Sequence, residues 1–174
     1  ASQRVGKGAE RFAMHIGGQE IPMHDPRNTP SYGTTYCTDA TPARHMQGGS
    51  QYLESGFVIP GVPFEKMEKY SYTGKGAIHR YMGSLSHIVN ASGLCFFAVW
   101  IYGVEMIPQF LKYVTGQDYT LEDLITIGER IANLRMAFNC REGVRLSDWK
   151  VPGRMIGDPP LKAGPLKGIT IDLQ

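Results

Sequence analysis

The sequence predicts a mainly α-helical domain with a short N-terminal β-hairpin and an extended Pro/Gly-rich C-terminal tail. Three observations lead there. Apolar residues recur at helical spacing in "KGAIHRYMGSLSHIVNASG" and "TLEDLITIGERIANLRMAFNCREG". A period-two pattern flanks Gly17-Gly18 near the start. The last stretch, "VPGRMIGDPPLKAGPLKGITIDLQ", is broken throughout by proline and glycine.

The elements follow in chain order. In "RFAMHIGGQEIPMHDPR", Phe12, Met14 and Ile16 alternate with Ala13 and His15, and Gln19 to Ile21 return after the two glycines. Pro22 and Pro26 end the pairing. Thr41 followed by Pro42 reads as an N-cap with proline at the first helical position, so a short helix is expected there, strained by Gly48-Gly49. Residues 55–66 read as loop, and the pattern turns helical from Glu65. Ile78, Tyr81, Met82, Leu85, Ile88 and Val89 then form one stripe, and Gly93 suits the residue just past a helix end. "PQFLKYVTG" is a short helix between Pro108 and Gly116. The best helix starts at Thr120, with Asp123 completing a capping box, and ends at Gly143. Leu124, Ile127, Ile131, Leu134 and Phe138 are its expected buried stripe. In the tail no helix is expected, and only "GITIDL" reads as a strand.

Bulk properties narrow the function. The 174 residues suffice for one domain with a core, and residues 1–174 read as a single helical domain. A net charge of +2 argues against nucleic acid and against an anionic membrane surface. The longest apolar run, Gly93 to Val104, is about twelve residues, well short of the roughly 20 of a membrane span. No apolar secretion signal opens the chain. Cys37, Cys95 and Cys140 are widely spaced, without a C-x-x-C pair, which points to a reducing cytoplasm and excludes a four-thiolate metal site built by this segment alone. His79 and His87 lie about 12 Å apart along a helix, too far for one metal ion.

Four stretches then carry a resemblance: "RFAMHIGGQEIPMHDPR", "YGTTYCTDATPARHMQG", "NASGLCFF" and "IGERIANLRMAFNCREG", in that order. Together they resemble the C-terminal domain of the tungsten-containing aldehyde ferredoxin oxidoreductases. The resemblance implies a fragment of a longer enzyme, lacking a β-rich domain that cradles a tungsten-bis-pterin cofactor and a middle helical domain with a C-x-x-C-x-x-x-C motif. It implies that Cys95, in the position of the cysteine of D-x-x-G-L-C, is the fourth ligand of a [4Fe-4S] cluster. Gly93 and Leu94 would approach a pterin, with Leu94, Phe96 and Phe97 as an apolar shell. Read from the residues alone, a buried structural cysteine is the alternative for Cys95.

Two departures stand out. Asn90 replaces the acid of that motif, so a charge-assisted hydrogen bond to pterin becomes an ordinary one. "TPARHMQ" replaces R-G-A-x-H-x-R, so the flanking arginine is Gln47. His45 matches the motif histidine, which the resemblance makes a proton donor or a polarising group for the aldehyde oxygen. Arg130, Arg135, Arg141 and Glu142 read as salt-bridge residues on the last helix or towards other domains.

The function so implied is part of an oxidoreductase that interconverts small aldehydes and carboxylic acids. Tungsten or molybdenum on pterin and a four-iron cluster would be its cofactors, ferredoxin its electron partner, and the cytoplasm its location. The isolated segment is expected to bind no cofactor and to be inactive. The alternatives are a non-catalytic helical interaction domain or subunit that keeps the fold, and a subunit of a related acyl-CoA (aromatic thioester) reductase.

Overall fold

A computed structural model describes residues 2–173. A single turn α1 (Ser2–Val5) and a 3-10 turn (Ala9–Phe12) precede the hairpin of β1 (His15–Ile16) and β2 (Gln19–Glu20). His15 faces Glu20 and Ile16 faces Gln19, and the two glycines between them take positive φ, as the sequence predicts. The hairpin is shorter than expected because Phe12 closes the 3-10 turn instead of entering the strand.

Helix α2 (Ser31–Thr38) has no counterpart in the sequence reading. Its composition, "SYGTTYCT", is poor in helix formers. Local and long-range contacts override that propensity. Thr35, Cys37 and Thr38 each hydrogen-bond the carbonyl four residues back. The first backbone N–H, on Ser31, donates to Glu54 Oε2 at 2.9 Å. Glu54 ends α3 (Ser50–Glu54), and its side chain is fully buried. Its other oxygen accepts from Lys75 Nζ at 2.6 Å, at the start of α4 (Lys75–Ala91). One carboxylate therefore ties three helices together.

The helix expected after Thr41-Pro42 does not form. The Thr41 hydroxyl, which would cap it, accepts instead from Arg135 Nη2 at 2.6 Å. The Thr41 N–H turns back to Asp39 Oδ1 at 2.8 Å, and Ala43 takes a φ of +59°. Residues 55–66 are loop as expected, but the irregular chain continues to Gly74, so the long helix begins at Lys75 and not near Glu65.

Helix α4 is the spine. Met82, Leu85, Ile88 and Val89 are buried with Tyr52 and Leu53 of α3, and with Phe96 and Val99 of α5 (Phe96–Tyr102). Each such side chain contributes roughly 1.5–3 kcal/mol by leaving water. After α6 (Met106–Thr115), which ends at Gly116 as predicted, α7 (Leu121–Arg141) packs along α4. The approach is so close that a Cβ on Gly128 would lie 2.0 Å from the Ser84 carbonyl oxygen, so only glycine fits. The capping box is present: Asp123 N–H donates to Thr120 Oγ1, and Thr120 N–H donates to Asp123 Oδ2.

The buried stripe of α7 stops short of what the period predicts. Leu124 is buried and Ile127 and Ile131 pack on the core, but Leu134 is 73% exposed and Phe138 54% exposed. A period shows that a face is apolar and says nothing about where its cover ends. A second, smaller cluster joins Ile16, Tyr36, Ala43 and Trp149.

The tail contains one helical turn after all, α8 (Gly153–Ile156), placed between its prolines. The stretch 168–173 joins no ladder among the described residues. It runs back over the body: Ile171 is buried and donates to the Ile156 carbonyl at 2.9 Å, and Asp172 N–H donates to the Tyr72 hydroxyl.

Removing the charge at the three-helix junction tests its weight. Glu54→Gln keeps an acceptor for Ser31 but leaves the Lys75 ammonium, 14% exposed, without its counter-charge. Urea unfolding should show a loss of about 3 kcal/mol.

Candidate functional site

Helix α4 delivers the predicted cysteine turn. It closes with a paired motif in which Gly93 N–H donates to the Asn90 carbonyl and Leu94 N–H to the Val89 carbonyl, each at 3.1 Å. Gly93 has φ +70°, which releases the chain to turn. Cys95 then stands at the N-cap of α5, whose axis is bent 107° from that of α4. Its thiol is exposed. The expected apolar shell is open on one side. Phe96 points into the core and Leu94 packs on it, but Phe97 faces outward with Ile101 and Tyr102. Successive helical positions lie about 100° apart, so Phe96 and Phe97 cannot share one direction. No group of three or more His, Cys, Asp or Glu among the described residues could hold a metal ion. The turn therefore presents one cysteine at the surface.

The two departures noted in the sequence meet in space. Asn90 Nδ2 donates to the Ser86 carbonyl at 2.8 Å and to Gln47 Oε1 at 3.3 Å. The cysteine turn and the loop that carries His45 are thus linked by a neutral pair. His45 itself is half-buried. Gln51 Nε2 holds its carbonyl at 2.8 Å, and its ring lies 4.7 Å from that of His24. Burial, followed by the neighbouring His24 and Arg44, pushes the His45 imidazole below its ordinary range. At neutral pH the ring is therefore uncharged.

Alongside lies a cleft of about 340 Å³ between α2, α4 and α7, lined in part by Thr38, Asp39, His79, Gly83, His87 and Asn133. Sequence reasoning missed its polar network. Asp39 is buried, and its Oδ2 lies 3.3 Å from His87 Nε2 and 3.5 Å from Arg135 Nη1. Arg135 can only donate, so at 2.7 Å it takes the His87 Nε2 lone pair, and His87 Nδ1–H donates to the Gly83 carbonyl. Burial alone would raise the Asp39 carboxyl. The adjoining His87 ring, the Thr41 N–H and the charge of Arg135 hold it below the usual carboxylate range. Arg135 is therefore a tertiary tie to residues over ninety positions earlier, while Arg141 pairs with its exposed neighbour Glu142. The rim is neutralised too, since Arg80 meets Glu129 in a two-point pair at 3.0 and 2.8 Å.

His79 is the most perturbed group of the cleft. The Thr38 hydroxyl donates to the Thr34 carbonyl, so it accepts from His79 Nε2–H at 3.4 Å. Nδ1 is then left to accept from the buried Ser50 hydroxyl at 2.8 Å. Burial pushes this imidazole down to about 4, against a weaker upward pull from Asp39.

The sequence model described as "Aldehyde ferredoxin oxidoreductase, domains 2 & 3" matches residues 1–174. The chain belongs to this family. It is 31% identical to a tungsten-containing aldehyde ferredoxin oxidoreductase of Pyrococcus abyssi, over 96% of this chain and 27% of that protein. The same enzymes of Thermococcus kodakarensis and Pyrococcus furiosus are 30% and 29% identical over the same shares. The chain thus spans about a quarter of the length of these family relatives. No single helix among the described residues is long and apolar enough to cross a membrane.

The His79 imidazole sets a pH dependence. Its folded form refuses a proton that the unfolded chain binds near pH 6.5, so its stabilisation is complete above that value and declines as pH falls towards 4. The slope contributed is at most about 1.4 kcal/mol per pH unit. Asp39, shifted downward as well, from its ordinary 3.8, gives up its share only at lower pH. Denaturant titrations between these limits should be flatter for His79→Gln than for the parent chain, and an unchanged slope would contradict the assignment.

Proposed function

We propose that this chain supplies one wall of a tungsten–pterin oxidoreductase that interconverts small aldehydes and carboxylic acids, with electrons leaving through a four-iron cluster to ferredoxin. The observation that carries the reading is the exposed thiol of Cys95, on a glycine turn at the edge of an apolar face. A cysteine kept for packing would be buried. The relatives' names, tungsten-containing aldehyde ferredoxin oxidoreductase, support the reaction class.

In this proposal each residue has one task. Cys95 gives a single thiolate to the cluster. Gly93 and Leu94 bring main chain close to a pterin edge, and Asn90 offers an acceptor to its N–H groups. Tungsten on pterin supplies two-electron chemistry at the aldehyde carbon when bound. His45, neutral at pH 7, stands ready to hold or hand on a proton at the substrate oxygen. The reaction would run in the cytoplasm, consistent with three unpaired thiols.

Cys95→Ser in the polypeptide that carries this segment should abolish the electron paramagnetic resonance signal of the cluster and lower bound iron; full iron content would remove Cys95 from the ligand set. His45→Ala should leave iron and tungsten unchanged and cut aldehyde-dependent turnover by roughly 100-fold, the lower end for a lost general acid–base group. Wild-type rates would return His45 to a structural role.

A further inference from the structure

His45 does not face solvent alone. Its ring centroid is 4.7 Å from that of His24, at an interplanar angle of 49°. The His24 ring is in turn stacked on Tyr32 of α2 at 4.6 Å and 10°. Tyr36, fully buried one turn further along α2, lies 6.0 Å from Tyr32 and donates its hydroxyl to the His24 carbonyl at 2.9 Å. A row of four rings therefore runs from the core of α2 to His45. His24 is held at both its backbone and its ring, whereas His45 is held at its backbone by Gln51.

We propose that His24 is a positioning residue for His45: the Tyr32 stack fixes the His24 ring, and that ring in turn fixes where the His45 imidazole stands. This rests on the proposed role of His45 in proton transfer.

The charged and titratable surroundings support a pair. Arg44, beside His45, adds a positive charge and disfavours protonation further. Asp25, next to His24 in sequence, is occupied by Arg27, which grips it at 3.0 and 2.6 Å. Its charge is thus matched before it can compensate a second imidazolium. Tyr32 and Tyr36 are neutral at this pH, since burial raises both phenols above their ordinary 10. Two positive rings at this separation in a half-buried site repel, so a charge on the partner ring disfavours one on His45. For a proton-handling histidine the arrangement has a use. Burial first, and the partner ring after it, disfavour its charged form, which leaves it able to accept across the neutral range.

Long-range ¹⁵N–¹H NMR of the imidazoles across about pH 5 to 8 tests this. His24→Phe keeps the stacked ring and removes the charge. His24→Gln removes both. In each, His45 should titrate as an isolated group with its midpoint shifted upward. The ring-current displacement of the His45 Cε1 proton should survive in the Phe variant and vanish in the Gln variant. An unchanged midpoint in both variants would overturn the pair. Aldehyde turnover in the assembled enzyme separates the two claims. If the acid limb of its pH profile moves up with the NMR midpoint, both hold. If the midpoint moves and the limb does not, the pair stands and the catalytic reading of His45 fails.

Discussion

A single buried carboxylate organises this domain. Glu54 accepts the first N–H of α2 with one oxygen and the Lys75 ammonium with the other. An unpaired charge at that depth would cost several kcal/mol, so the two helices that satisfy it have to meet α3 together. Each of them carries part of the site. α2 holds the tyrosines that back His24, and α4 holds His79, His87 and Asn90. The order of the site is thus inherited from a contact with no chemical task of its own.

That dependence explains which parts could be read from the amino acids. The stripes of α4 and the first half of α7, the Thr120–Asp123 cap and the Gly17-Gly18 turn are local features, because their partners lie within a few residues. The features that escaped are held from afar. α2 needs a carboxylate twenty-three residues on, and Thr41 is diverted by an arginine ninety-four residues on. Leu134 and Phe138 follow the helical period but outrun the body that covers it. The Gly93 turn that sets Cys95 at the start of α5 was legible through a motif. The Asp39–His87–Arg135 network was not, because no spacing rule joins such distant residues.

The electrostatics of the region are those of a surface with little net charge to spare. Arginines 80 and 135 are matched by Glu129 and Asp39, and burial holds His45 and His79 uncharged at neutral pH. A neutral imidazole can take a proton or give one through its other nitrogen, whereas a permanently cationic group can only donate. The same neutrality lets a partner surface approach without first desolvating a fixed ion.

The amide of Asn90 has a consequence for whatever lies against the turn. Both of its hydrogens point inward, one to the Ser86 carbonyl and one to Gln47. Its oxygen takes part in neither bond. The side chain therefore keeps the lone-pair edge that a carboxylate would show, minus the charge, and the glutamine decides which end of the amide is left to offer it.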